Sequence, residues 1–167
     1  MRRTILAGAA IASLAAVAIS GPASAKDQGL CELQFSPKTL AAISDIAMIK
    51  ATGKTTNVAD GLFTMPGNAL DQDTIACKGG LAFVRADASV KIKKPVFDLA
   101  NNTVAVTIPG VGQDYELFDL ANVKEKKKVV KAKANLAMGQ AALLNQALKT
   151  DIFTDGMRIG RVAYSMQ

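Results

Sequence analysis

The sequence predicts a mainly β domain: an antiparallel β-sandwich carrying two short α-helices. Three observations predict it. Apolar and polar residues alternate with a period of two in several separate segments, the pattern of half-buried strands. Turn-forming groups fall between those segments: Asp87-Ala88-Ser89, Asn101-Asn102, Pro109-Gly110 and Asp155-Gly156. Apolar residues at helical spacing occur in just two places, after Ser36 and over 139–149.

The central segment, 77–108, carries the clearest signal. Leu81, Phe83 and Arg85 alternate with Ala82, Val84 and Ala86. After the turn, Val90 and Ile92 alternate with Lys91 and Lys93. Pro95 cannot donate to a ladder, which predicts an edge or a bulge there. Val96, Phe97 and Leu99 continue the strand, Asn101-Asn102 turns it, and the β-branched run 103–108 returns it. Gly79-Gly80 predicts a bulge or a close backbone approach.

In chain order, residues 1–25 read as a signal peptide. Arg2 and Arg3 give a charged start, 5–19 is apolar, and Ala23-Ser24-Ala25 is a small-residue cleavage pattern. The apolar part is too short and too alanine-rich to span a membrane comfortably. The paired arginines also fit a twin-arginine signal, so the export route stays open. Residues 26–167 then form a single domain, and no transmembrane span is expected in it. Cleavage removes two of the 20 basic residues and none of the 14 acidic ones, leaving 18 against 14. That excess is too small for a nucleic-acid binder.

Residues 30–35 alternate as a first strand. Ser36 and Pro37 are an N-cap and a first helical residue, and Leu40, Ile43, Ile46 and Ala47 extend a helical unit towards Gly53. Residues 52–60 read as a polar loop, 62–65 as a strand ending at Pro66, and 67–73 as a turn-rich loop. Beyond the central segment, Tyr115, Leu117 and Leu120 mark a strand and 124–128 a charged turn. Val130, Ala132, Ala134 and Leu136 alternate as the next strand. Leu143, Leu144 and Leu148 form the stripe of the second helix, and 157–166 is the last strand. Residues 33–53 and 134–156 echo one another as strand, short helix and turn.

Two cysteines, Cys31 and Cys77, read as one disulfide in an exported chain, joining the first strand to the start of the central segment. Two free thiols fit an oxidising compartment less well.

The chain contains no histidine, which excludes a Ser-His-Asp triad, a Cys-His pair and a histidine metal site. Asp114, Glu116 and Asp119 flank Tyr115 and could support acid–base work, but they read more simply as a solvated face. Asn68, Asp71 and Asp73 lack the glycine and terminal glutamate of a calcium loop and read as a polar turn. No catalytic residue and no metal ligand is therefore assigned.

Lys124, Lys126, Lys127, Lys128, Lys131 and Lys133 stand against Glu125 alone. Lysine commonly guards an exposed strand edge, and that is the first reading. The second is attraction to an anionic cell-surface polymer, acidic headgroups or another envelope protein. Lys91, Lys93 and Lys94 join this cluster if their strand lies nearby. No aromatic residue interleaves with these lysines, which argues against nucleic acid.

The order of short motifs resembles a group of uncharacterised secreted bacterial proteins, mostly actinobacterial. The residues that carry the resemblance are Leu62-Phe63-Thr64-Met65-Pro66, Gly79-Gly80-Leu81-Ala82-Phe83, Val96-Phe97-Asp98-Leu99 with Thr103-Val104-Ala105-Val106, and Glu116-Leu117-Phe118-Asp119-Leu120. A closing unit runs from Ala142 to Leu148 with Phe153, Gly156 and Gly160. The middle portion is distantly similar to the haem-transport-associated, HtaA-type domain. That resemblance implies a β-rich fold and haem as cofactor, held by a tyrosine supported by histidine or serine. The tyrosines here are Tyr115 and Tyr164, neither in a matching motif, so no ligand residue carries over.

The expected function is an exported, non-enzymatic binding or structural module of the extracellular space or envelope. The alternative is a carrier of haem or another small ligand.

Overall fold

Period-two segments become strands, and their pairing decides the architecture. A computed structural model describes residues 29–167. The expected signal peptide lies outside the described residues. The elements are β1 (Gly29–Phe35), α1 (Pro37–Ser44), β2 (Met48–Thr52), β3 (Thr56–Ala59), β4 (Leu62–Ala69), β5 (Thr74–Cys77), β6 (Gly80–Val84) and β7 (Ser89–Asp98). They continue as β8 (Thr103–Ile108), β9 (Gly112–Lys126), β10 (Val129–Leu136), α2 (Gln140–Leu148) and β11 (Arg158–Met166).

All pairings are antiparallel, as expected, but they make one continuous sheet and not two stacked ones. The order β7-β5-β4-β1-β11-β10-β9-β8 closes on itself through a β7–β8 pairing, giving an eight-stranded barrel. β6 and β2 extend from the first half of β7, and β3 pairs with β4. In-out alternation looks the same in a sandwich and in a barrel; closure depends on which strands meet. β7 makes it possible by serving two neighbourhoods. Ser89–Lys93 pairs with β6, while Val96–Asp98 pairs with β5 and β8. The register shifts between Lys93 and Val96, which is the bulge expected at Pro95.

Inward positions carry the core. Phe35 packs edge-on against Phe63 and Phe83, with ring centroids 6.0 and 6.2 Å apart. Val104, Val106, Leu117, Ala134 and Leu136 fill the lumen around them. On the outer side Glu32, Gln34, Lys131, Lys133 and Arg161 stand among the apolar residues Leu30, Ala121 and Ala163. Among the described residues no helix is long and apolar enough to cross a membrane.

Local reading misplaces five boundaries. Residues 48–52, expected as helix, form β2 because they pair with β6, far along the chain. Residues 56–59, expected as loop, form β3 against β4. Residues 74–77 form β5, which periodicity does not reveal in four residues. β4 runs through Pro66 to Ala69. Pro66 accepts from the Lys78 N–H at 2.7 Å but has no N–H to return, so the β4–β5 ladder stops at Gly67 and Cys77. The expected turn at 124–128 shrinks to Lys127-Lys128, with β9 continuing to Lys126. The internal echo is one of element order only: β10 pairs with β11, whereas β2 pairs with β6 and not with β1.

The helices are fastened at their ends. Ser36 Oγ accepts from the Thr39 N–H at 3.2 Å, and Thr39 Oγ1 donates to the Arg158 carbonyl at 2.6 Å, tying α1 to β11. Asp155 accepts from the Ala141 N–H at 3.0 Å and caps α2. Arg85 donates to the carbonyls of Leu148 and Lys149 at the other end, at 3.2 and 2.8 Å. Asp87 bridges Lys149 at 3.1 Å and Arg85 at 3.4 Å.

The Ala141 N–H, helped by those of Gly139 and Gln140, holds the Asp155 carboxyl below its ordinary value of 3.8. The Lys149 hydrogen bond does the same for Asp87. A carboxyl depressed on folding contributes stability above its unfolded value, and that contribution disappears as pH falls through the folded value. Hydrogen exchange along α2, corrected for its intrinsic pH dependence, should therefore accelerate below about pH 4. In Asp87→Asn/Asp155→Asn the acceleration should be weaker and α2 already less protected at neutral pH. An identical acid response in the double variant would rule out these two carboxyls as its source.

Candidate functional site

β9, β10 and β11 present a basic face on the barrel exterior, and strand register builds it. Glu32, Ala163, Lys131 and Lys124 form one row across β1, β11, β10 and β9. Gln34, Arg161, Lys133 and Ala121 form the next. Lys131 thus stands directly opposite Lys124, and Lys133 directly opposite Arg161. Like charges facing across a sheet destabilise it. Among the described residues no ion pair neutralises Lys124, Lys131, Lys133 or Arg161. Lys126, Lys127 and Lys128 continue the charge to the tip of the β9–β10 hairpin, all exposed.

The edge-guarding explanation divides at this point. β8 accompanies β9 only as far as Asp119, so Lys124 and Lys126 lie on a stretch paired on one side. Guarding an edge accounts for them. β10 is paired on both sides, by β9 and β11, and has no edge for Lys131 and Lys133 to guard. Lys91, Lys93 and Lys94 do not join this face, because β8 and β9 separate β7 from β10.

The other candidate groups stay apart from it. Asp114 and Glu116 are exposed on β9. A register shift between Ala105 and Val104 turns both Leu117 and Phe118 inward and returns Asp119 to the outer side. Asp71 Oδ1 accepts from the Asp73 N–H at 2.9 Å, the bond that chiefly holds the Asp71 carboxyl below its ordinary value. The acidic loop is thus a self-closed turn. Among the described residues no three His, Cys, Asp or Glu side chains come together to hold a metal.

Cys31 and Cys77 are bonded, joining β1 to β5. Both strands pair with β4, and Gly67 of β4 lies beneath the bridge: a Cβ there would sit 2.6 Å from Cys31 Sγ and 2.9 Å from the Tyr164 ring. Tyr164 is 2% exposed, and its hydroxyl has no hydrogen-bond partner among the described residues. A buried unpartnered hydroxyl is unfavourable, so Tyr164→Phe should stabilise the fold by about 1 kcal/mol in urea unfolding. A loss of stability on this change would show that the hydroxyl is satisfied in solution.

The lumen holds a cavity of about 40 Å³ among inward residues that include Phe35, Phe83, Ile92, Phe97 and Phe118. Small-molecule pockets run to roughly 300–1,000 Å³. A porphyrin does not fit inside the barrel, and Tyr164 cannot reach one from its buried position. The chain has no histidine to support a haem-bound tyrosine.

No protein-family model matches the chain, and no curated protein sequence matches it. Solved structures do. The haem-binding protein HtaB from Corynebacterium glutamicum superposes with a TM-score of 0.63 at 10% identity, covering 83% of this chain and 93% of that one. The C-terminal domain of HtaA from the same organism gives 0.57 at 11% identity, and the N-terminal domain 0.57 at 10%. Each covers 83% of this chain and 96% of its own. The likeness extends over nearly the whole of those domains, so this chain is distantly similar to the HtaA-type domains and shares their fold.

Proposed function

We propose that the chain is an exported, non-enzymatic binding module of the extracellular space or cell envelope, docking through its β9–β11 face on an anionic surface polymer. One observation carries this reading. Lys131 and Lys133 face other cations across a doubly paired strand, where they guard no edge and weaken the sheet. An anionic partner relieves that repulsion. One fold neighbour, HtaB, is a haem-binding protein, which agrees with a contact role.

The test is recovery of the mature chain on an envelope fraction. Wild-type recovery should fall steadily as salt rises past about 0.1 M, where the screening length is about 10 Å. A variant with Lys126, Lys127, Lys128, Lys131 and Lys133 changed to Ser should be recovered poorly even at low salt. Equal recovery of both proteins would end the proposal.

A second reading, a haem carrier, is favoured by the haem-binding fold neighbour HtaB. Half-buried Tyr115 is the remaining tyrosine that could approach a ligand. Added haemin is expected to give no Soret shift. A shift that disappears in Tyr115→Phe would replace the first reading with this one.

A further inference from the structure

Five lysines outside the β9–β11 face converge elsewhere. Lys54 lies in the β2–β3 turn, Lys78 in the β5–β6 turn, and Lys91, Lys93 and Lys94 on β7. All five line one groove of about 630 Å³, whose floor is Ala76, Cys77 and Val96, and no acidic residue lines it. The segments are far apart in sequence, and hydrogen bonds from backbone N–H groups hold them together. The Gly80 N–H donates to Thr55 Oγ1 at 2.7 Å, beside Lys54. The Lys94 N–H donates to the Gly79 carbonyl at 2.8 Å, beside Lys78.

Gly79 and Gly80 permit this junction. A Cβ on Gly79 would overlap Thr55 Oγ1, and one on Gly80 would overlap the Ile92 carbonyl. The β7 bulge adds a second device. Lys94 has φ +50°, a left-handed conformation disfavoured for a residue with a Cβ. It leaves Lys93 and Lys94, adjacent in sequence, both exposed, whereas neighbours on a regular strand face opposite sides. Among the described residues Lys54, Lys91, Lys93 and Lys94 form no ion pair. Edge guarding does not account for Lys54 and Lys78, which lie in turns.

We propose that this groove is a second anion-binding site, taking a flexible, phosphate-rich polyanion without aromatic bases. All five cations are lysine and none is arginine. Lysine recognises phosphate as a mobile point charge, whereas planar bidentate recognition selects arginine. No aromatic side chain lines the groove to stack a base, which separates this ligand from single-stranded nucleic acid. The site does not depend on the β9–β11 face, and the two lie on different arcs of the barrel.

The experiment titrates the disulfide-bonded mature chain with long-chain inorganic polyphosphate at several salt concentrations. Three variants are compared, each checked by circular dichroism: a groove variant (K54S/K91S/K93S/K94S), a charge-keeping control (K91R/K93R/K94R) and a face variant (K124S/K131S/K133S). The groove variant should bind about tenfold more weakly and with a shallower salt dependence, since fewer counterions are released. The arginine control should bind like wild type and show that the groove survives substitution. The face variant should keep the groove's share of binding. Wild-type binding by the groove variant overturns this proposal. If the groove variant loses binding while the face variant does not, the groove stands and the β9–β11 reading falls; if neither loses binding, both fall.

Discussion

Replacing Cys31 and Cys77 by serine should lower the unfolding free energy by about 4 kcal/mol, the chain-entropy value for a loop of this length. The two cysteines are 46 positions apart. Between them lie α1, β2, β3 and β4, so the bridge restricts a large part of the unfolded chain. In the folded state both sulfurs are buried, Cys31 at 1% and Cys77 at 3% exposure, so the serine pair also places two hydroxyls in the core. The thermal midpoint should drop by on the order of 10 °C. Urea unfolding of the oxidised protein against the double variant measures the difference. Coincident transitions would mean that the bridge constrains nothing the sheet does not already hold.

Gly160→Val should be nearly as damaging, at about 3 kcal/mol or more, by forced overpacking against backbone. Gly160 of β11 lies between Phe35 of β1 and Ala134 of β10. A Cβ there would overlap the Gln34 carbonyl and approach Phe35 Cα to 2.9 Å. The obstacle is main chain and cannot rotate away. The β1–β11 pairing must open, and with it the barrel seam that carries the Thr39–Arg158 hydrogen bond to α1. Gly156→Ala offers a contrast: nothing lies within 4 Å of its Cβ position, but its φ of +74° is strained for any residue with a side chain. Its effect should be smaller, and a steeper loss there than at Gly160 would contradict the packing argument.

Much of the scaffold was legible in the residues themselves. Period-two patterning located β1, β6 to β8, β10 and β11, because side chains on a regular strand point alternately to its two faces. Ser36-Pro37 announced α1 through the chemistry of an unsatisfied helix end. Asn102 at φ +56° shows why the Asn pair marked a hairpin. The pairing of Cys31 with Cys77 followed from there being two cysteines in a chain expected to be exported.

What the residues could not disclose is what depends on partners distant in sequence. β2, β3 and β5 are short and acquire strand geometry from β6, β4 and β7, so no local window contains their cause. The choice between sandwich and barrel rests on whether β7 meets β8 as well as β5, a matter of long-range pairing and the bulge at Lys94. The lysines show the same division. Composition revealed a surplus of positive charge. Only the closed sheet separated it into Lys131 and Lys133 on a strand with no edge, and Lys54, Lys78 and Lys91 to Lys94 around a groove, because charge is a property of residues and proximity a property of the fold.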